Sequence, residues 1–404
     1  MLPQGVLGFQ YEAERSSTGV TSLAGLPLYL DLVHRSGLAA AIRQHVQVAG
    51  RQGWLDLQMV LAVVFRNLAG GDCVDDLERL EGDSGLAAVL QASERDLLSR
   101  SERRSLKSRW RRKRERVVPS PSALSAWLEG FHDPASPKAC PKRRLGAVAG
   151  TAFIPAVTEA LQGMWRVNQA LLGFIQQHQP ATTATLDMDA TLIETHKHDA
   201  LHCYQGFKAY QPLNCWWAEQ GGMLYSEFRD RNVPAGHEQL RVLQDSLRQL
   251  PANVTKVSLR SDTAGYQEEL LLYCGEGKDP RFGVIDFAIA ADVTEAFRAA
   301  VLATAETAWQ KLIRTVDGKP QQPDQEWTEV CYVPNWAGHS RQRADYRFLA
   351  IREPLRQLPL GDAAQLPFPT QEFASKGTYK LFGMVTNRKD AGEQVIWWLR
   401  ERCG

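Results

Sequence analysis

The chain has 404 residues, of which 44% are hydrophobic, and this is enough to bury one or two large cores. The formal net charge of +1 gives no general attraction to nucleic acid, and the longest apolar run, Met59 to Phe65, is too short to cross a bilayer. The seven cysteines include no CxxC pair, which argues against a disulfide framework or a zinc ribbon and predicts a soluble, cytoplasmic protein.

Residues 1–150 are predicted to form a mostly helical region. Leu28 to Val46 and Asp56 to Ala69 carry apolar side chains at helical spacing. A further helix is expected just after Pro121, with Ser122 as its cap. This region therefore has the pattern of a small helical domain.

The segment from Arg100 to Arg116 contains ten Lys or Arg residues and two Glu around Trp110, and we call it the basic run. Because affinity for duplex DNA comes mainly from neutralising phosphates, the basic run is predicted to bind DNA. A solvated linker or helix face is the alternative for any such run of charges. The residues predicted to contact DNA are Arg103, Arg104, Lys107, Arg109, Arg111, Arg112, Lys113 and Arg114.

Strands begin to alternate with helices in residues 151–299. One long helix is predicted over 152–178, and the strand after it, Thr185 to Glu194, carries acidic side chains on one face. Alternation puts Asp187 and Asp189 on that face, opposite the apolar side chains. The strand is therefore predicted to bury one face and to present carboxylates on the other.

A hairpin (204–218 with 223–229), a helix (236–250), a strand ending at Asp262, a helix and the apolar strand 282–290 follow in that order. The order β-β-β-α-β-α-β is that of a ribonuclease-H-like core, in which the two acidic strands are adjacent at the centre. The predicted fold class is α/β, with a mixed ribonuclease-H-like sheet behind the helical N-terminal DNA-binding region. Residues 300–385 are predicted to be a β-rich insertion, and 386–404 the start of the C-terminal core helix.

Aspartates near the ends of neighbouring strands suit divalent cations. Hard oxygen ligands hold Mg²⁺ or Mn²⁺, and two such ions about 3.5–4 Å apart support phosphoryl transfer. Asp189, Asp262 and Asp187 are the predicted metal ligands, which favours a nuclease or a polynucleotidyl transferase. The alternative is coincidence, because Asp is common at strand ends and turns.

Four motifs follow one another in order along this part of the chain: Asp187-Met-Asp-Ala-Thr191, Gly206-Phe-Lys-Ala-Tyr-Gln-Pro-Leu213, Phe228-Arg-Asp-Arg-Asn-Val233 and Leu259-Arg-Ser-Asp-Thr-Ala-Gly-Tyr266. Together they resemble the DDE transposases of bacterial insertion sequences, in the cut-and-paste branch that has a β-strand insertion. The helical N-terminal half resembles the DNA-binding region of the same family.

The resemblance implies that Asp189 and Asp262 are catalytic and that Asp187 is a neighbour on the same face. The family's third carboxylate is a Glu on a late helix, and its expected position is at or just beyond Gly404, so the chain reads as truncated before it. Glu393 and Glu401 are possible substitutes, although both read better as ordinary surface charges of a helix.

The resemblance further implies two Mg²⁺ or Mn²⁺ ions, cleavage of double-stranded DNA at transposon ends, and strand transfer into target DNA. It also implies a homodimer on DNA and association with the bacterial nucleoid, without a membrane partner. Two other functions remain open at this point. One is a catalytically inactive transposase that only binds DNA, and the other is a hydrolytic nuclease of the same fold.

Overall fold

The structure is a computed structural model that describes residues 21–132, 154–197, 200, 206–229, 233–316, 319–321, 324–334, 346–355, 368–374 and 377–402. The chain divides into two units, one formed by Met1–Ala147 with Pro155–His178 and the other by Val148–Ile154 with Gln179–Gly404. Among the described helices, none has the length and apolar character that a bilayer crossing requires.

The first unit is helical, as the sequence predicted. A break separates its first two helices at Gly37, whose φ of 73° is a left-handed conformation that favours glycine. The helices are α1 (Leu26–Arg35), α2 (Leu38–His45), α3 (Asp56–Leu68), α4 (Leu77–Gly82), α5 (Ser84–Leu97), α6 (Arg100–Ser108), α7 (Pro121–Glu129) and α8 (Glu159–His178). Their buried apolar faces form one core, which includes Leu30, Ile42, Leu77 and Leu124.

Helix α7 begins one residue earlier than the sequence suggested. Its cap is Ser120, whose hydroxyl accepts a hydrogen bond from the Ala123 amide at 3.2 Å. Pro121 occupies the first helical position, where the missing N–H costs nothing because that amide has no partner within the helix. The prediction of Ser122 as the cap was therefore wrong by two residues.

Helix α8 packs on α2 within the first unit, whereas the sequence grouped this stretch with the core that follows it. Gly163 lies so close to the His45 carbonyl that a side chain there would overlap it. The buried face of α8 includes Gly163, Val167 and Leu172. Close contact between two helices thus assigns α8 to the first unit.

The second unit is built around one large mixed sheet. Its strands are β1 (Thr183–Ala190), β4 (Leu213–Trp217), β5 (Gly222–Glu227), β6 (Lys256–Ser261), β7 (Asp286–Ala291), β8 (Gln310–Lys311), β11 (Glu326–Val330), β12 (Arg347–Pro354), β13 (Thr370–Phe373) and β14 (Gly377–Thr386). Two small ribbons pair β2 (Ile193–Glu194) with β3 (Ala209–Tyr210), and β9 (Arg314–Val316) with β10 (Lys319–Gln321). The helices are α9 (Gln239–Gln249), α10 (Glu268–Gly275), α11 (Glu295–Ala303) and α12 (Gly392–Arg400).

The first half of the sheet has the order β5-β4-β1-β6-β7. Strand β4 is antiparallel to both β1 and β5, whereas β1, β6 and β7 run parallel. This is the strand order of a ribonuclease-H-like core, and the predicted fold class is confirmed. The two acidic strands, β1 and β6, are adjacent at its centre.

The predicted β insertion extends this same sheet. Strand β14 pairs antiparallel with β7, and β12, β11 and β8 continue beyond it. Helix α12 returns to the sheet, and Gly392 at its start packs directly on the Trp327 ring. The segment is β-rich as predicted, but it enlarges the core sheet because β7 offers it a free edge.

Candidate active site

The parallel pairing of β1 and β6 brings two predicted aspartates together. Asp187 lies opposite Arg260 and Met188 lies opposite Ser261. The next residues along the two strands, Asp189 and Asp262, are therefore neighbours at the carboxyl ends of strands that lie about 4.8 Å apart. We call these two residues the aspartate pair.

Asp262 is held by the turn that follows β6. A short 3₁₀ turn, Thr263–Gly265, begins here, and the Asp262 carboxylate accepts a hydrogen bond from the Ala264 amide at 2.9 Å. Gly265 packs on β6 so closely that an added Cβ would lie 2.6 Å from the Ser261 Cβ. A glycine is needed here because any side chain would push the turn, and Asp262 with it, away from the strand.

Asp189 is half-buried beside other carboxylates. Burial raises the pKa of Asp189, the nearby charge of Arg402 opposes this, and repulsion from Asp262 and Asp187 raises the pKa further. Neither member of the aspartate pair forms an ion pair within the described part of the chain. The site thus concentrates negative charge, an arrangement that favours the binding of a cation.

Asp187 is one step back along β1 and is already paired. Its two carboxylate oxygens accept hydrogen bonds from Arg260 Nε at 2.5 Å and Nη2 at 2.7 Å. Both side chains are almost fully buried, with 3% of Asp187 and 4% of Arg260 exposed. The sequence predicted Asp187 as a metal ligand, but both of its oxygens are engaged by Arg260.

Helix α12 lies over the same face of the sheet. Arg260 Nη1 donates to the Trp398 carbonyl at 2.8 Å, and the guanidinium lies over the Trp398 ring. Just past the helix, Arg402 has one buried guanidinium nitrogen without a hydrogen-bond partner in the described residues. The C-terminal end of α12 therefore brings positive charge to the aspartate pair.

Neither proposed substitute for the third carboxylate joins the aspartate pair. Glu393 accepts a hydrogen bond from the Ile313 amide at 2.7 Å, and the exposed Glu401 lies 3.9 Å from Arg260. No three His, Cys, Asp or Glu side chains in the described ranges converge as a metal site. The family's expected Glu position, at or beyond Gly404, lies outside the described residues.

An open cleft of about 820 Å³ lies beside Asp262. The end of β1, the turn after β6 and the loop 234–237 ahead of α9 form its walls. Behind that loop, the fully buried Arg229 donates to Glu227 Oε1 at 2.8 Å and to the His237 carbonyl at 2.6 Å. The cleft is large enough for a nucleotide and has one carboxylate of the aspartate pair in its wall.

The basic run contains two kinds of residue. Arg109 donates to the carbonyls of Gly53 and Trp54, and Arg114 makes a two-pronged pair with Glu94 at 2.7 and 2.6 Å. Their guanidinium groups therefore stabilise the first unit. Trp110 also packs inward, edge-on against Trp54 at 5.3 Å between ring centroids.

The other predicted DNA contacts are exposed. Arg103 donates to the Arg95 carbonyl from an exposed position on α6. The remaining residues form no ion pair with any residue that the structure describes; they are Arg104, Lys107, Arg111, Arg112 and Lys113. Arg104 and Lys107, with Arg100 and Arg103, share one face of α6, because residues three and four apart lie above one another on a helix.

Sequence reasoning missed Arg260, and it named Arg402 only as a less likely alternative to Arg400 for the arginine of the family's late-helix signature. Arg260 precedes Asp262 by two residues, as Asp187 precedes Asp189, so the alternation on two parallel strands could have paired them. Nothing in the sequence placed Arg402 near Asp189, because this proximity depends on how α12 returns to the sheet.

Comparison with known proteins gives a family match and a weak structural match. Residues 9–343 match the family model described as transposase DDE domain group 1. No curated protein matches the chain. The Drosophila P element transposase strand transfer complex is similar at 11% identity and a TM-score of 0.21, over 64% of this chain and 52% of that one. The chain thus spans about half the length of that structure.

Proposed function

Because the chain belongs to the transposase family with a group 1 DDE domain, we propose that it cleaves DNA at the ends of an insertion sequence and joins the freed ends to target DNA. The observation that carries the proposal is the aspartate pair at the carboxyl ends of two parallel strands. Asp262 opens directly onto a cleft of nucleotide size. Cleavage and joining use the same phosphoryl-transfer chemistry, so one site serves both steps.

The donor set suits the divalent ions that this family uses. Asp189 and Asp262 supply hard carboxylate oxygens, and Mg²⁺ is commonly held by one or two carboxylates together with substrate phosphates and water. The raised pKa of Asp189 supports the fit, because burial, and then the charges of Asp262 and Asp187, disfavour its ionised form although Arg402 opposes them, and a bound cation would favour that form. Once bound, such ions supply a nucleophilic water or hydroxyl and neutralise charge on the phosphate.

Each residue of the site has a proposed role in this chemistry. Asp189 and Asp262 hold the cations with their carboxylates and thereby fix where a DNA phosphate binds. Thr263 and the loop 234–237 line the cleft beside that phosphate. Arg402 brings a positive charge near Asp189 that can contact the same phosphate.

DNA is proposed to bind the first unit through the exposed cations of the basic run. The face of α6 that carries Arg103, Arg104 and Lys107 presents several charges on one side of a helix, which suits the phosphates of a duplex. Arg111, Arg112 and Lys113 extend this charge beyond the helix end. We further propose a homodimer on DNA in the bacterial cytoplasm, because joining both ends of an element requires two active sites.

A second candidate function is DNA binding without cleavage. The absence of a third converging carboxylate from the described residues favours it. In that case, the exposed cations of the basic run would still hold DNA, while the aspartate pair alone would bind metal too weakly for catalysis.

A nicking assay separates these functions. The full chain, Asp189→Asn and Asp262→Asn are incubated with supercoiled plasmid that carries the coding sequence and its flanking DNA, in Mg²⁺, Mn²⁺ or EDTA. We expect the wild type to nick this plasmid only with a divalent ion. Each substitution should lower nicking at least about a thousandfold, since one carboxylate of a two-metal site is lost.

DNA binding measured on the same three proteins completes the test. Equal binding by all three, with nicking only by the wild type, supports the transposase. Equal binding with no nicking by any protein supports the second candidate, and nicking that survives Asp189→Asn and Asp262→Asn contradicts the proposed site. A hydrolytic nuclease is recognised by nicked plasmid without joined product when pre-cleaved ends are supplied.

A further inference from the structure

The buried ion pair between Asp187 and Arg260 lies immediately before the aspartate pair. We propose that Arg260 is a positioning residue that fixes the separation of Asp189 and Asp262, with Asp187 as its anchor and not as a metal ligand. This inference rests on the proposed function, because it concerns how the same site is assembled.

Strand register places the ion pair next to the aspartate pair. Asp187 and Arg260 face each other across β1 and β6, each two residues before a member of the aspartate pair. Side chains two residues apart lie on the same face of a strand. The ion pair therefore joins β1 to β6 on the face that carries Asp189 and Asp262, two residues before them along each strand.

The geometry of the ion pair restricts how the two strands can move relative to each other. Two parallel hydrogen bonds, at 2.5 and 2.7 Å, fix both the distance and the angle between the two side chains. Burial removes competing water, so the arrangement has little freedom. Both oxygens of Asp187 are engaged by Arg260, its carboxylate is closed off from solvent, and Asp187 is not among the residues that line the cleft beside Asp262.

A third contact joins the ion pair to helix α12. Arg260 Nη1 donates to the Trp398 carbonyl, so a single guanidinium holds β1, β6 and α12 together. The same helix end brings Arg402 near Asp189. A lysine at position 260 would keep the charge, but it could not make three directed hydrogen bonds to two partners on different elements.

Manganese binding tests this role separately from activity. Wild type, Arg260→Lys and Asp187→Asn are titrated with Mn²⁺ by calorimetry, and their melting temperatures are measured in EDTA. Arg352→Lys is the matched control, because Arg352 is also fully buried in the second unit and is paired with Glu326 at 2.7 Å. Should Arg260→Lys fail to fold, the double variant Asp187→Asn/Arg260→Gln, which removes both charges, takes its place.

We expect Arg260→Lys to weaken Mn²⁺ binding about 10–100-fold, the usual effect of losing a group that orients a metal ligand. The number of bound ions at saturation should stay the same. Asp187→Asn should weaken binding by a similar factor, and the double variant by no more than either single change, because all three break one link. Arg352→Lys should lower the melting temperature without changing Mn²⁺ affinity.

Two results would overturn the inference while leaving the proposed function intact. One is an Arg260→Lys protein with wild-type Mn²⁺ affinity, and the other is an Asp187→Asn protein that loses a bound ion which Arg260→Lys retains. The second result would make Asp187 a ligand. A wild-type protein that binds no Mn²⁺ would instead overturn the proposed function, and the inference with it.

Discussion

The basic run of the first unit and the acidic strands of the second unit each contain some charged side chains that are paired within the fold and others that are not. In the basic run, Arg114 is paired with Glu94, whereas Arg104 and Lys107 are exposed and form no ion pair with a described residue. On the acidic strands, Asp187 is paired with Arg260, whereas Asp189 forms no such pair. Each region therefore has charges that stabilise the fold beside charges that are available to a ligand.

The two regions differ in what lies around the available charges. Exposed cations on a helix are already solvated, so they cost the folded state little stability. They can bind the many phosphates of a DNA backbone without a precise geometry. The half-buried Asp189 loses solvation and is repelled by its acidic neighbours, so a bound cation would stabilise its ionised form more strongly. We therefore expect changes at the acidic strands to have larger and more local effects than changes in the basic run.

Among substitutions that leave the charged residues of both regions in place, the largest effect is expected from Gly265→Ala. A Cβ at this position would meet Ser261 at 2.6 Å, so the turn must shift and carry Asp262 with it. A displacement of about 1 Å near a reacting centre costs roughly a hundredfold in rate. Plasmid nicking should fall by about that factor, while DNA binding stays unchanged.

Gly173→Ala is the control for this change, because an added Cβ there meets no atom within 4 Å apart from the adjoining backbone of its own helix. It should leave nicking at the wild-type rate. Equal rates for Gly265→Ala and Gly173→Ala would show that the position of Asp262 is not critical, and the contrast between the two regions would lose its main support.

A smaller effect is expected from the double variant Arg104→Ala/Lys107→Ala. Loss of two phosphate contacts should lower the slope of log affinity against log salt by about 2, with roughly uniform weakening across DNA sequences. Titration of labelled duplex at several salt concentrations measures this slope.

Arg114→Ala is the comparison within the same segment. It breaks the two hydrogen bonds to Glu94, so it should cost about 2 kcal/mol of unfolding free energy and leave the salt slope unchanged. If Arg114→Ala lowered the slope as much as the exposed pair did, the division of the basic run into structural and available charges would be wrong.

Much of the fold could be predicted from the sequence because its signals are local. The alternation in β1, the apolar β7 and the helical spacing of α1 to α3 each arise within one element, and the order of elements then restricts the sheet. The pairing of β14, a strand of the insertion, with β7 could not be predicted from the sequence, because nothing local in β14 specifies which sheet edge it joins.

The candidate site was also predictable only where its signals are local. Asp189 and Asp262 are recognisable because each lies near the end of its strand. The engagement of Asp187 by Arg260 requires the exact register of two strands that are 73 residues apart in sequence. Likewise, Arg109 and Arg114 are identical to their exposed neighbours in charge, and only the position of Glu94 and of the Gly53 and Trp54 carbonyls distinguishes them.

The smallest effect is on stability, where Asp189→Asn should raise the melting temperature of the metal-free protein by a few degrees at pH 7. Burial and repulsion raise the pKa of Asp189, so its ionised form destabilises the folded state at neutral pH. The carboxyl becomes protonated as the pH falls through this raised pKa, and the advantage of the asparagine should then disappear. Melting curves in EDTA between pH 4 and 7, a range that starts near the usual pKa of an Asp and extends above it, measure both points.

Glu326→Gln is expected to shift the melting temperature in the opposite direction. Burial opposes ionisation of Glu326, but hydrogen bonds from Arg352 and Lys311 outweigh it and lower the pKa. Its charge therefore stabilises the fold at neutral pH, and Glu326→Gln should melt below the wild type, by an amount that shrinks as acid protonates the glutamate. Opposite shifts for the two substitutions would establish that the fold tolerates Asp189 at a cost in stability, as expected of a group retained to bind a ligand. A destabilised Asp189→Asn protein would mean instead that Arg402 compensates Asp189 fully and that the site has no excess negative charge for a cation to relieve.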